Sequence, residues 1–312
     1  MSNQISQTAE VPYEMGNKRL DQVAAQLFPE YSRSRLQQWI KDGQLQVNGK
    51  TIRGRDKLVG GETLTLEAEL TAEGDWQAED IPLDIIYEDD DILVVNKQAG
   101  LVVHPAAGNY EGTMLNGLLH HCPQLENIPR AGIVHRLDKD TTGCIVIAKS
   151  QEALVRLQVQ IQKRIASRDY LAVVHGVPAG DSGTIVGAIG RHPADRKKYA
   201  VVSDENGRYA CTHWSLQERL GDYSLLRFKL DTGRTHQIRV HCSHMNHPVV
   251  GDPTYSRCRK LPIDLPGQAL HAFQLGLDHP INRERMVFEA PMPPVMEKLL
   301  GVLRRRNASG QC

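Results

Sequence analysis

Residues 132–150, GIVHRLDKDTTGCIVIAKS, put two opposed solvation demands side by side. His135, Arg136, Asp138, Lys139 and Asp140 cannot all be packed in a core, because burying unpaired charge costs far more than packing returns. Cys144 to Ala148, an unbroken apolar run, cannot stay in water and reads as a buried strand. The chain must therefore hold a charged turn at the mouth of a buried strand. The charged side chains there need water, each other or a ligand. A carboxylate among several cations stays ionised at neutral pH. Held beside an arginine, it can act as nucleophile or base toward a sugar carbon or proton. The competing reading is a salt-bridge cluster that merely closes the turn.

Similar strand-like runs recur at DILVVN, GLVVHP, YLAVVHG and YSLLRFKL, and in the last of these Leu226, Phe228 and Leu230 alternate with Arg227 and Lys229. That alternation marks a half-buried strand. Between them lie helical stretches: Leu115, Leu118 and Leu119 share one face, and Leu154, Leu157 and Ile161 another, with Ser150 as a candidate cap. The fold class expected is α+β with a largely antiparallel sheet. The 40% hydrophobic and 24% charged content is that of a soluble protein, and no apolar stretch is long enough to cross a bilayer. The first residues carry no apolar run, so a secretory leader is not expected. Six cysteines without CxxC spacing read as reduced, buried thiols of a cytoplasmic protein.

A formal net charge of zero hides strong segregation. Arg33 to Lys57 holds seven Lys/Arg against two Asp, whereas Leu58 to Asn96 holds twelve Asp/Glu and no Lys or Arg. A basic module at one end suits localised contact with a polyanion. The expected organisation is a flexible tail over 1–16, a small module over 17–76, a large domain over 77–306 and a tail over 307–312. In the module, Leu20, Val23, Ala24 and Leu27 fall at helical spacing, and Pro29 breaks that helix. Ser32 or Ser34 can cap a second helix carrying Leu36, Trp39 and Ile40, with Gly43 as its stop. Asn48-Gly49 predicts a hairpin, and Gly60-Gly61 a turn into the strand ETLTLEA.

A second stretch, DTGRTHQIRVHCSHMNHPVVGDPTY at residues 231–255, carries Ile238, Cys242 and Met245 at helical spacing. Arg239 then sits near the first turn of a short helix. His236, His241, His244 and His247 suggest a metal site, but Pro248 pushes His247 out of helical conformation. The other three lie at spacings of five and three rather than four. No metal site is expected.

NKQAGLVVHP, GIVHRLDKDTTG, SRDYLAVVHG and the 231–255 stretch together resemble the pseudouridine synthases of the RluA type, over nearly the whole chain. The small module, from RLD through SRSR to VNGK, resembles an S4 RNA-binding domain. Gln98 and Ala106 depart from the family pattern. The resemblance implies an S4-like domain followed by a catalytic domain on a mixed, largely antiparallel sheet with flanking helices. It implies Asp138 as the catalytic aspartate, Tyr170 as the tyrosine that stacks on the target base, and Arg239 as the arginine paired with the aspartate. Arg136 would fill the gap left by a flipped-out base. His135, Arg234 and His236 are expected on the substrate, and Arg33, Arg35, Lys41, Lys50, Arg53 and Arg55 on RNA phosphates.

The implied reaction cuts the N1–C1′ bond of a uridine, turns the uracil and rejoins it through C5. It needs no redox change or phosphate energy, so no cofactor is expected. Glycoside hydrolysis would want two opposed carboxylates and an activated water. The expected partner is 23S ribosomal RNA or the assembling large subunit, at the helix 69 stem-loop, bound by a monomer. Three other readings compete: another site in 23S ribosomal RNA or tRNA, a non-catalytic RNA-binding assembly factor, and a metallohydrolase using the histidines.

Overall fold

A computed structural model describes residues 4–29, 31, 33–69, 76–105, 111–195, 198–256, 261 and 263–310. Ser32, Ala106, Cys258 and Cys312, the side chains of Arg33 and Ser34, and the acidic stretch 70–75 lie outside what it describes. The chain divides into two compact units, Met1–Trp76 and Gln77–Cys312.

In the first unit, α1 (Leu20–Leu27) buries Leu20, Val23 and Ala24 against Leu36, Trp39 and Ile40 of α2 (Arg33–Lys41). α2 already includes Ser34, so Ser34 lies in the first turn instead of capping it. Gly43, at φ 76°, ends α2, and the Gln44 N–H turns back to the Trp39 carbonyl at 2.8 Å. Only a residue tolerant of left-handed backbone makes that stop cheaply. Asn48 and Gly49 have φ of 50° and 72°, and Val47 and Lys50 exchange backbone hydrogen bonds at 2.9 and 3.0 Å.

The predicted hairpin stops at that turn. β2 (Leu45–Val47) pairs instead with β3 (Thr63–Glu69), and the Thr63 N–H donates to Asn48 Oδ1 at 2.8 Å. The expected second arm offers one apolar residue, Ile52, whereas β3 brings the buried Leu64, Leu66 and Ala68. The expected tail is also corrected. Residues Gln4–Glu10 form β1, antiparallel to β3 from Gln4↔Glu69 to Glu10↔Thr63, and Val11 is buried. The segment QISQTAE is too polar to announce a strand by its apolar pattern. Backbone bonding to β3 holds it, and polar residues are what an edge strand tolerates.

Among its described residues the second unit is built on one sheet of nine strands: β4 (Ile85–Glu88), β5 (Ile92–Lys97), β6 (Thr142–Ala148), β7 (Ser167–His175), β8 (Ser182–Val186), β11 (Cys211–Arg219), β12 (Tyr223–Leu230), β13 (Leu270–Asp278) and β14 (Arg285–Glu289). A separate ribbon pairs β9 (Ala188–Arg191) with β10 (Tyr199–Val202). The sheet order is β4-β5-β6-β13-β7-β12-β11-β8, with β14 beside β13. Among these pairs β13 and β6 run parallel and the others antiparallel. Every residue of β6 is buried, as a strand central in the sheet and covered on both faces requires.

The helices are α3 (Met114–His121), α4 (Gln151–Gln162), α5 (Gln237–His244) and α6 (Pro294–Ala308). The Ser150 side chain caps α4 by accepting from the Ala153 N–H at 3.1 Å. α6 covers the sheet with Met296, Leu299, Leu300 and Leu303 and runs into the expected C-terminal tail. GLVVHP, predicted as a strand, is not one. Its Val102 and Val103 carbonyls instead accept the first N–H groups of α3, from Met114 at 2.8 Å and Leu115 at 3.1 Å. Those orphan donors compete with strand pairing for the same carbonyls.

Candidate active site

Residues 133–138 lead from a bridge to β6 at Ile133, through a bend at His135, to the turn after Asp138. Ile133 bridges Ile147, and Leu137 is buried while Arg136 is exposed. Leu137 thus anchors the segment inside, while its neighbours Arg136 and Asp138 keep exposed surface. Gly132 (φ 75°) and Gly143 (φ 110°) bracket this segment. A Cβ on Gly132 would run into the Ala148 carbonyl and one on Gly143 into that of Ala272, so the backbone approach fixes both as glycine. The Thr141 N–H closes the turn on the Asp138 carbonyl at 3.1 Å.

Asp138 meets Arg239 across 101 positions of sequence: Arg239 Nη1 donates to Asp138 Oδ2 at 3.0 Å. Arg239 stands on the first turn of α5, entered through His236 in left-handed backbone (φ 57°, ψ 21°). Its other donors grip Asp252, Nε to Oδ2 at 2.7 Å and Nη2 to Oδ1 at 2.9 Å. Asp252 Oδ1 also accepts the Thr254 and Tyr255 N–H groups at 2.8 and 3.0 Å. Burial alone would weaken the charge on Arg239, but Asp252 and Asp138 outweigh it and raise its pKa. The Asp252 side chain is 0% exposed and that of Asp138 17%, so Asp138 is the carboxylate of this triad that a ligand can reach.

Tyr170 is buried in β7, and burial together with the Asp138 charge raises its pKa, which keeps it a neutral phenol. His236 lies within the fields of Asp138, Arg239 and Arg136; its Nδ1 is 2.9 Å from the Tyr255 hydroxyl, and burial lowers its pKa. The Tyr255 ring in turn lies 5.2 Å from the Arg239 guanidinium. The fold thus brings Asp138, Arg239, Tyr170, His236 and Arg136 into one neighbourhood.

Two of the expected substrate residues face elsewhere. His135 Nε2 accepts the Val146 N–H at 3.1 Å, and burial beside Arg168 pushes its pKa down to about 3, so a neutral ring ties the turn to β6. Arg234 Nε donates to the Tyr209 carbonyl at 3.0 Å. The histidines of the second stretch also diverge: His241 Nδ1 meets Thr212 Oγ1 at 2.9 Å, and His247 Nδ1 meets the His175 carbonyl at 2.9 Å. In the first unit Lys41, Lys50, Arg53 and Arg55 are exposed, Arg53 with an ion pair to Asp56 at 3.2 Å, while Arg35 packs over the Trp39 ring.

Sequence reasoning missed Asp252 and Lys97. Lys97 ends β5 and is 1% exposed, and its Nζ donates to the carbonyls of Gln98 (2.8 Å), Leu101 (2.9 Å) and Lys139 (2.8 Å). Burial lowers its pKa to about 8 against the pull of Asp140 and Asp138. One ammonium therefore ties the turn after β5 to the turn that carries Asp138. The available signal was its place at the end of the apolar run ILVVN, which forces its stem inside. For Asp252 the signal was an aspartate two residues ahead of Thr254, a spacing at which it can accept backbone N–H groups.

Residues 91–244 match the RNA pseudouridylate synthase family, and residues 18–64 match the S4 domain. The ribosomal large subunit pseudouridine synthase D of Pseudomonas aeruginosa is 53% identical over 98% of each chain. The protein of that name from Escherichia coli K12 is 45% identical over 97% of this chain and 96% of the other. Among solved structures, human RNA pseudouridylate synthase domain containing 4 superposes with a TM-score of 0.57 at 25% identity, covering 71% of this chain and 93% of that one. An S4 RNA-binding domain joined to this sheet makes an RNA-modifying isomerase. The chain belongs to the RNA pseudouridylate synthase family.

Proposed function

We propose that the chain converts uridines of 23S ribosomal RNA to pseudouridine, in the helix 69 stem-loop, with Asp138 as the essential carboxylate. The observation that carries the assignment is the bridge Asp138–Arg239–Asp252, in which a buried arginine clamped by one carboxylate holds a second at an accessible position. Whether that carboxylate attacks C1′ or removes a sugar proton, the N1–C1′ bond breaks and the freed uracil turns. C5 then bonds to C1′ and gives up its proton. The neutral Tyr170 ring supplies an apolar surface for the turning base, and partial exclusion of water protects the intermediate from hydrolysis. Arg136 is exposed and planar, so it can stack where the base was. The basic residues of the S4 domain would hold phosphates and set register without reading bases.

The large-subunit target rests on the relatives named above, which are ribosomal large subunit enzymes. The isomerisation is redox-neutral and uses no cofactor, and the enzyme acts as a cytoplasmic monomer on free or assembling ribosomal RNA. The test is a map of pseudouridines in 23S ribosomal RNA from a strain lacking the gene. Loss confined to helix 69, restored by wild type and not by Asp138→Asn, is the expected result. An unchanged helix 69 would overturn the target.

A further inference from the structure

The end of β11 holds a cluster that the reaction does not use. Cys211 and His213 are two apart on β11, so their side chains share one face of the sheet. β12 runs antiparallel alongside, Thr212 facing Leu230, and Asp231 follows with its N–H on the Cys211 carbonyl at 3.3 Å. Asp231 therefore stands opposite Cys211, on that same face. The Cys211 sulfur is 3.7 Å from His213 Nε2, which is 3.2 Å from Asp231 Oδ1.

These separations are compatible with a shared metal ion. Zinc bonds of about 2.3 Å to sulfur and about 2.0 Å to nitrogen and oxygen, at tetrahedral angles, place S and N about 3.5 Å apart and N and O about 3.3 Å apart. The two measured edges agree with those within ~0.2 Å. The surroundings are those of ligands. His213 Nδ1 lies 3.0 Å from Thr184 Oγ1, and a proton donated there leaves the Nε2 lone pair facing sulfur and carboxylate. Arg164 Nη1 donates to the other carboxylate oxygen, Asp231 Oδ2, at 3.4 Å, and the Tyr209 hydroxyl hydrogen-bonds the sulfur.

We propose that Cys211, His213 and Asp231 bind one divalent transition metal ion of the zinc type, with water in the fourth position. A thiolate–imidazole–carboxylate set selects zinc-like ions over magnesium or calcium. Binding converts the thiol to thiolate and releases its proton to solvent, and the two anionic ligands then balance the metal charge. The ion's work is structural. Asp231 opens the loop that leads into α5, and Thr232 Oγ1 in that loop accepts the Cys211 N–H at 3.0 Å. A metal here would pin the loop between β12 and α5. No local spacing announces the site, because its ligands come from two strands that only the sheet makes neighbours.

The test is titration of the full-length, chelator-treated protein with Co²⁺. One equivalent should bind, with a thiolate-to-cobalt charge-transfer band that Zn²⁺ displaces. Cys211→Ser should lose the band. His213→Gln, at a side chain 44% exposed, should weaken binding at least about tenfold, as should Asp231→Asn. Cys122→Ser should behave as wild type. Independently of any variant, Zn²⁺ should slow iodoacetamide alkylation of Cys211 in the wild-type protein at least about tenfold. No thiolate band, a band unchanged in His213→Gln or lost in Cys122→Ser, or alkylation of Cys211 indifferent to Zn²⁺, would show an ordinary His–Asp ion pair beside a thiol and overturn the proposal.

Discussion

The two units of the chain handle charge in opposite ways. In the first, the one buried charged residue among those described is Asp21, held by Arg19 and Gln37 at 3.0 Å, and Lys41, Lys50, Arg53, Arg55 and Lys57 lie exposed over an apolar core. The second carries Lys97, Arg168, Asp169, Arg239 and Asp252 inside. Exposed charges act as a sum, screened by salt and individually replaceable. Buried charges survive only in specific geometry, so each depends on its partners. The difference separates the work of holding a polyanion from the work of rearranging one nucleotide.

Single substitutions should expose that contrast. The largest effect is expected at the accessible end of the buried network. Asp138→Asn should abolish conversion of a ribosomal RNA fragment in single-turnover assays, with affinity kept within about tenfold, roughly 1.4 kcal/mol. Asp140→Asn should retain far more activity, and a dead Asp140→Asn beside an active Asp138→Asn would reassign the site. Next comes Asp252→Ala, which strips the clamp from a buried guanidinium. Denaturant unfolding should show a loss of about 3–5 kcal/mol together with a fall in kcat. Unchanged stability would mean that Asp252 does not compensate the buried Arg239 charge.

Arg136→Ala should cost about 1–3 kcal/mol of transition-state stabilisation on structured RNA, with little change on an unpaired uridine substrate. Lys should rescue it poorly, because an ammonium does not stack as a guanidinium does. Acid should also separate the units. All 13 histidines lie in the second unit. Burial pushes His135 down to about 3 and His241 to about 4, so both fold neutral but protonate readily when unfolded. With folded values below the unfolded 6.5, their contribution is whole above pH 6.5 and is lost as pH falls toward 4 and then 3. Each should remove about 1.4 kcal/mol per pH unit in that window. Hydrogen exchange corrected for its intrinsic pH dependence should show protection falling from pH 6.5 in the second unit first, with His241→Gln reducing the slope. The smallest effect belongs to the surface: Lys50→Ala or Arg55→Ala should each lower the salt slope of RNA binding by about one and leave kcat unchanged.

Local physics was legible in residue order. The charged turn ahead of a buried strand, the caps at Ser150 and Gly43 and the face shared by Leu154 and Leu157 all follow from spacing within one element. The errors had a common source. β1 was invisible because an edge strand held by backbone bonds needs no apolar stripe, and GLVVHP failed as a strand because α3 claimed its carbonyls.

By itself, then, the sequence determined that a charged segment would lead into a buried strand and that a basic module would precede it. Tertiary structure alone decided which partners those charges received. Arg239 reaches Asp138 across 101 positions, Lys97 reaches the Lys139 carbonyl across 42, and β13 lies between β6 and β7 although it follows both in the chain. Spacing encodes what residues a few positions apart can share. The pairing of distant charges is set by which surfaces exclude water together, and that exists only once the sheet has formed and its helices have packed.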